Sequence, residues 1–236
     1  MPVICMASPK GGTGKTTTSI ILAGEIADAG GTVTIVDADP NFPFKFWESI
    51  SNDQDGIKVR VCGENTNISD EIDAAINESN FVIVDLEGVA DMKMSEAIFK
   101  SNLVMIPTKP SPLDTRESIK LAHLIRRLQG SSGRNIPHSI IFTQANPVIQ
   151  TRTFKSCIDI LNEAEIPMFD SRVIDRDAFR SFFSFGGTLH SMDPGEVPGL
   201  EKAKENAAAI IEEVIAFLSK KKLKSDKKAV AKANAA

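Results

Sequence analysis

The chain has 236 residues, 42% of them hydrophobic, and a formal net charge of −4, which is enough apolar material for one sizeable buried core. No apolar run reaches the roughly 18 residues needed to span a bilayer. The three cysteines, Cys5, Cys62 and Cys157, form neither a CxxC metal pair nor a disulfide framework, so they read as small buried hydrophobes of a reducing cytoplasm. The opening Met1-Pro2-Val3-Ile4-Cys5-Met6 carries no basic leader, so a cytoplasmic protein without stable membrane insertion is expected.

Short apolar runs then alternate with helical patterns in chain order. The runs are Val3–Ala7, Thr32–Val36, Lys58–Val61, Phe81–Val84, Leu103–Ile106 and Ser139–Phe142. Between them lie amphipathic stretches at Thr16–Ala29, Ser69–Glu78, Ser95–Lys100, Asp114–Gln129 and Thr153–Glu163. Strand and helix in alternation predict one α/β domain, a mainly parallel twisted sheet with helices on both faces. From Leu200 the apolar positions Ala203, Ala207, Ile210, Ile211, Val214, Phe217 and Leu218 recur at mostly three and four, predicting a last helix that lays one face on the sheet. Residues 1–219 make up that domain. Residues 220–236 hold seven lysines and one aspartate, a charge of +6 against −10 for the rest, and few bulky apolar residues, so a flexible tail is expected there.

Directly after the first run stands Ser8-Pro9-Lys10-Gly11-Gly12-Thr13-Gly14-Lys15-Thr16-Thr17, and a helical pattern begins at once. Strand, glycine loop and helix in that order suit phosphate binding. The glycines let backbone N–H groups turn inward, and the helix N-terminus adds the positive end of its dipole. Lys15 can then reach the β and γ oxygens, while Thr16 offers a hydroxyl to Mg²⁺. A second lysine in the loop, Lys10, has no task in an ordinary phosphate loop. It can instead reach a neighbouring subunit's nucleotide.

The second run ends in Val36-Asp37-Ala38-Asp39-Pro40, which puts carboxylates at the C-terminal edge of a parallel strand beside the loop. Phe81-Val82-Ile83-Val84-Asp85 is an apolar run closed by one acid able to hold Mg²⁺ through water. After Ser139–Phe142 comes Thr143-Gln144-Ala145-Asn146-Pro147, whose Asn146 amide offers a donor and an acceptor to a base.

The string KGGTGKTT closely resembles the deviant Walker A box of the ParA/MinD family of P-loop NTPases, and the resemblance covers most of residues 1–219. It implies ATP and Mg²⁺ as cofactors and an ATP-dependent homodimer. The nucleotide lies on Lys10, Gly11, Gly12, Thr13, Gly14, Lys15, Thr16 and Thr17, and Lys10 crosses to the partner's phosphates. By the same resemblance Asp39 orients the attacking water, Asp37 supports the Mg²⁺ shell with Thr16 and Asp85, and Asn146 meets adenine. Asp39, Pro40, Asp85 and Gly88 make the switches, with Lys10, Lys15 and Asp39 carrying catalysis. Glu87 receives no role. The stretch Val173-Ile174-Asp175-Arg176-Asp177 is similar to the family segment that closes over the base.

Within the family the chain is most similar to short, VirC1-like ParA proteins. That implies partition or positioning of DNA cargo, nucleoid association, sequence-independent binding of double-stranded DNA, and an adaptor protein that stimulates hydrolysis. Arg152, Lys155, Arg172, Arg176, Arg180, Lys202 and Lys204 are the expected DNA contacts, since phosphate neutralisation needs no base readout. A MinD-like membrane-cycling regulator is the alternative, disfavoured because residues 220–236 offer only Leu223 and Val230 to a bilayer.

Overall fold

The computed structural model describes residues 1–52, 56–87, 92–146 and 151–233, with side chains as far as residue 220. Among these residues the strands are β1 (Val3–Met6), β2 (Val33–Ala38), β3 (Ile57–Val61), β4 (Phe81–Leu86), β5 (Leu103–Thr108), β6 (His138–Ala145) and β7 (Met168–Ile174). All pair in parallel, in the order β3-β2-β4-β1-β5-β6-β7.

The sheet is covered on both faces, which is why its central strands read as continuous apolar runs. Along β1, Ile4 and Met6 enter one core while Val3 and Cys5 enter the other; Ile83 and its neighbours Val82 and Val84 divide the same way on β4. Helices α1 (Lys15–Asp28), α2 (Pro43–Ile50), α7 (Asp177–Arg180), α8 (Phe182–Phe185) and α9 (Leu200–Ala233) cover the first face. The second is covered by α3 (Ile68–Glu78), α4 (Met92–Lys100), α5 (Pro112–Ser132) and α6 (Arg152–Glu163). All three cysteines are free and buried, as expected.

The chain lays β2, β3 and β4 on one side of β1, then crosses it to build β5, β6 and β7. Loops therefore diverge at the C-terminal end of β1, and that divergence opens a crevice where parallel sheets take ligands. The loop at Ser8–Gly14 sits at that point.

Four elements were not foreseen. Strand β7 carries Asp170, Ser171 and Arg172 in its middle, as an edge strand can; it has a sheet neighbour on one side only, so its pattern is diluted. Helix α2 follows too closely on Pro40 and Asn41 to show a period, and α7 and α8 have four residues each. Helix α9 buries Leu200, Ala203, Ala207, Ile210 and Val214 against the sheet as the spacing predicts. Its backbone helix does not stop near residue 218, where the lysine-rich segment begins, but runs to Ala233. Lysine and alanine are strong helix formers, which suits a helical backbone through this segment.

Helix α2 is tied to the segment after α8 at three points. Trp47, 1% exposed, donates its Nε1–H to the Gly187 carbonyl at 2.9 Å, and the Gly187 N–H donates to Ser51 Oγ at 2.8 Å. Gly186, at φ +70°, lies so close that a Cβ would stand 2.5 Å from the Ile50 carbonyl oxygen. Gly186→Ala is therefore expected to cost at least about 2 kcal/mol through left-handed strain and that clash. Urea denaturation should show the midpoint falling at unchanged slope, and an unaltered midpoint would show that the segment is not pinned there.

Candidate nucleotide site

The loop is shaped before any ligand arrives. Gly12 and Gly14 take φ of +69° and +89°, conformations that side chains rarely adopt, and Gly14 is the N-cap of α1. A Cβ on Gly14 would also meet Thr143 at 3.4 Å. The Thr143 hydroxyl donates to the Thr13 carbonyl at 2.6 Å, and Gln144 Nε2 donates to the Gly12 carbonyl at 3.3 Å, so the end of β6 holds the loop's outward-turned carbonyls. Thr13 Oγ1 is buried without a hydrogen-bond partner among the described residues. An orphaned hydroxyl inside a glycine turn fits a phosphate oxygen that would complete it.

Lys15 opens α1, is 6% exposed, and donates to the Lys10 carbonyl at 3.4 Å, which places its ammonium over the first turn of the loop. The next residue, Thr16, donates to Asp85 Oδ2 at 2.8 Å, with the Ser19 hydroxyl at 3.4 Å from Oδ1. Asp37 and Asp85 are register partners on β2 and β4, both with no exposure. Burial pushes Asp85 up to about 7 and Asp37 up to about 6 from an ordinary 3.8, despite the Thr16 hydrogen bond to the first and the Phe44 and Asp39 N–H groups on the second. Two buried carboxylates of raised pKa beside a threonine hydroxyl suit a hard divalent cation.

A cavity of about 540 Å³ opens over this loop, lined by Gly11, Gly12, Gly14, Lys15, Thr16, Thr17, Asp39, Asn41, Glu87, Gln144 and Phe183. The Asp39 carboxylate is steadied there by Asn41, whose N–H and Nδ2 both donate to Oδ1 at 2.9 Å. Asn41 thus fixes the orientation of the Asp39 carboxylate. A second cavity of about 350 Å³ adjoins it past Gly14, Thr17, Gln144 and Phe183 and runs on to Val173, Ile174, Asp175, Arg176, Phe179 and Arg180.

Lys15, Thr16, Asp37, Asp39 and Asp85 are thus brought together as the spacing predicts. Gly88 lies outside the described residues. Asn146 is exposed past the end of β6 and lines neither cavity; Gln144, at φ +52°, turns in instead. The Lys10 side chain also lines neither cavity, and its ammonium rests on Asp114 Oδ1 at 2.9 Å.

The seven basic residues do not share one face. Arg176 and Arg180 line the second cavity, Arg176 Nε is buried without a partner among the described residues, and Arg180 pairs with Asp175 and with Asp177 at 3.8 Å. Arg172 lies over the Phe154 ring, 4.7 Å from its centroid. Arg152 and Lys155 are exposed on α6, while Lys202 and Lys204 belong to α9 across the sheet, with Lys204 on Glu201 at 3.2 Å. Sequence order clusters these residues, whereas the sheet separates them. Gln144, Phe183 and Glu87 carry no assigned site role in the sequence: Glu87 and Gln144 stand two residues from Asp85 and Asn146, whereas no local motif connects Phe183 to the loop.

This geometry defines a P-loop nucleotide-binding protein of the parallel, sheet-switch type. The family described as VirC1 protein matches residues 1–221, and the chain belongs to that family, within the ParA/MinD group of ATPases. Protein ParA of Rhizobium radiobacter is 34% identical over 218 residues, covering 92% of this chain and 94% of its own. A Cyanothece McdA–ATP complex superposes with a TM-score of 0.70 at 17% identity, over 89% of this chain and 96% of that one. The cell division ATPase MinD of Pyrococcus furiosus gives 0.65 at 15% identity, over 89% and 98%.

The raised carboxylates have a signed consequence for stability. An acid with a folded pKa above its unfolded value contributes fully below the unfolded value and loses that contribution as pH rises through the folded one. Without nucleotide or divalent cation, Asp85 and Asp37 therefore weaken the fold progressively from about pH 4 to about pH 7. Asp85→Asn removes the larger part, and its thermal stability relative to the native chain should rise across that window; a pH-independent difference would mean that Asp85 is ionised throughout.

Proposed function

We propose that the chain is a nucleotide-switched ATPase that positions DNA cargo, holding ATP and Mg²⁺ at the loop and closing two copies around two nucleotides. The observation that carries the dimer is the Lys10 side chain, a cation of the phosphate loop that lines neither cavity and is held at the outer side of the loop by Asp114. A cation parked there serves a phosphate approaching from outside.

In this reading the triphosphate lies in the larger cavity and the base in the smaller, between Gln144 and the Arg176 segment. When bound, Mg²⁺ neutralises charge between the β and γ phosphates. Thr16, Asp85 and Asp37 would hold it. Lys15 balances the γ oxygens, and Asp39, oriented by Asn41, aligns a water for in-line attack. Hydrolysis removes the γ-phosphate that favours the dimer, so the two states differ by ligand contacts alone.

The likeness to ParA supports partition or positioning as the task. Sequence-independent duplex binding, nucleoid association and an adaptor that stimulates hydrolysis complete the reading. Arg152 and Lys155 on α6 and Lys202 on α9 make no ion pair among the described residues, and unlike Arg172 and Arg176 they are committed neither to an aromatic ring nor to a cavity, so they are the cations we assign to DNA. Dimerisation doubles their number, which steepens the salt dependence of DNA binding.

Three variants test this reading. Lys15→Ala should abolish ATP binding. Lys10→Ala should leave binding nearly intact and prevent dimerisation and hydrolysis. Asp39→Ala should trap an ATP dimer with single-turnover hydrolysis slowed about 100-fold or more. Equilibrium nucleotide binding, light scattering and rapid quench read the three, and a Lys10→Ala chain that dimerises normally in ATP would sink the sandwich. Trapped Asp39→Ala dimer should hold duplex DNA of unrelated sequences equally, whereas equal binding in ADP would remove DNA from the switch.

A further inference from the structure

Beside the loop stands a lysine that the reading above leaves idle. Lys109 follows β5 directly, and a Cβ built on Gly12 would lie 3.9 Å from its ammonium. That ammonium makes no hydrogen bond or ion pair among the described residues, and Lys109, like Lys10, lines neither cavity. Both lysines share one counter-ion. Asp114 takes Lys10 at 2.9 Å, accepts from the Ser111 hydroxyl at 2.5 Å, and in the first turn of α5 donates its N–H to Ser111 Oγ, the N-cap, at 3.2 Å. Against the upward push of partial burial, the hydrogen bonds from Ser111 and Lys10 and the charges of Lys10 and Lys109 hold its carboxyl below the usual range. Next to it Leu113 is 69% exposed.

Two cations therefore stand beside the loop, with Asp114 as the carboxylate that feels the charge of both. A polyanion would offset the positive charge that one carboxylate leaves over. Neither side chain lines the chain's own cavities, so the polyanion has to come from elsewhere. We infer that Lys109 acts beside Lys10, contacting the phosphates of the nucleotide held by a second copy of the chain, with Asp114 as the counter-ion that keeps Lys10 at the face until those phosphates arrive. The inference rests on the dimer proposed above and adds a second lysine to each crossing.

The test separates the two claims. Lys109→Ala should raise the ATP concentration for half-maximal dimerisation about tenfold, the worth of one charge-assisted hydrogen bond, while Lys109→Arg keeps it near the native value. Melting temperature should not change. In a Lys10→Ala background, which stays monomeric, adding Lys109→Ala should alter ATP affinity by less than about twofold, since a contact made only across the dimer is absent there. A marked loss of affinity in that background would put Lys109 on the chain's own nucleotide and overturn the inference. Native dimerisation by Lys109→Ala, with Lys10→Ala still defective, would overturn it and leave the dimer standing; native dimerisation by Lys10→Ala would remove the dimer itself. A lowered melting temperature that Lys109→Arg fails to restore would make the role structural, which also overturns it.

Discussion

The hydrogen bond from Thr16 to Asp85, 2.8 Å long at the centre of a parallel sheet, is the contact on which the site is organised. It joins the first turn of α1 to the end of β4, and so fixes the phosphate loop relative to the strands that carry the other acids. The acid at its far end has no exposure and no lysine or arginine within ion-pair distance among the described residues. Such a carboxylate is expensive in an apolar surround, which is why its pKa climbs towards neutrality. The site is thus built around a charge deficit that a divalent cation would relieve.

Asp37 extends the same logic along the sheet edge. Its Oδ2 accepts the Phe44 N–H at 3.0 Å, satisfying one of the open donors at the start of α2, and its Oδ1 accepts the Asp39 N–H at 3.3 Å. One buried side chain thus holds both the switch acid and the helix behind it. Helix α2 in turn is bonded through Trp47 and Ser51 to Gly187, four residues after Phe183, which lines both cavities. Asp37, α2 and Gly187 thus form a run of hydrogen-bonded contacts that leads from Asp39 towards the segment carrying Phe183.

Electrostatics divide the loop into two sides. Lys15 is buried by the helix it begins; Lys10, paired with Asp114 in the first turn of α5, and Lys109, beside Gly12, line neither cavity. The same economy of charge appears at the basic residues of the C-terminal third, where Arg172 is spent on an aromatic ring and Arg180 on two aspartates. A count of lysines and arginines overstates what is free to meet a polyanion.

The sequence by itself determined the parallel α/β class, the phosphate loop and the three aspartates, because each rests on neighbours in the chain: continuous apolar runs alternating with helical patterns, glycines that permit positive φ, acids at strand ends. It also carried the packing face of α9 from Leu200 to Val214, a matter of three-four spacing. Other features were decided only by tertiary structure. Gln144, the penultimate residue of β6, takes a left-handed φ and lines the cavities where Asn146 does not, which no local pattern announces. Arg176 joins a cavity instead of a surface patch because β7 and α7 bring it beside Gly14 and Thr17. Lys109 stands beside Gly12 because β5 lies next to β1, a neighbourhood set by strand order across the 96 positions between the two residues. Chemistry that depends on local backbone is legible in one dimension, and chemistry that depends on which strand lies beside which is not.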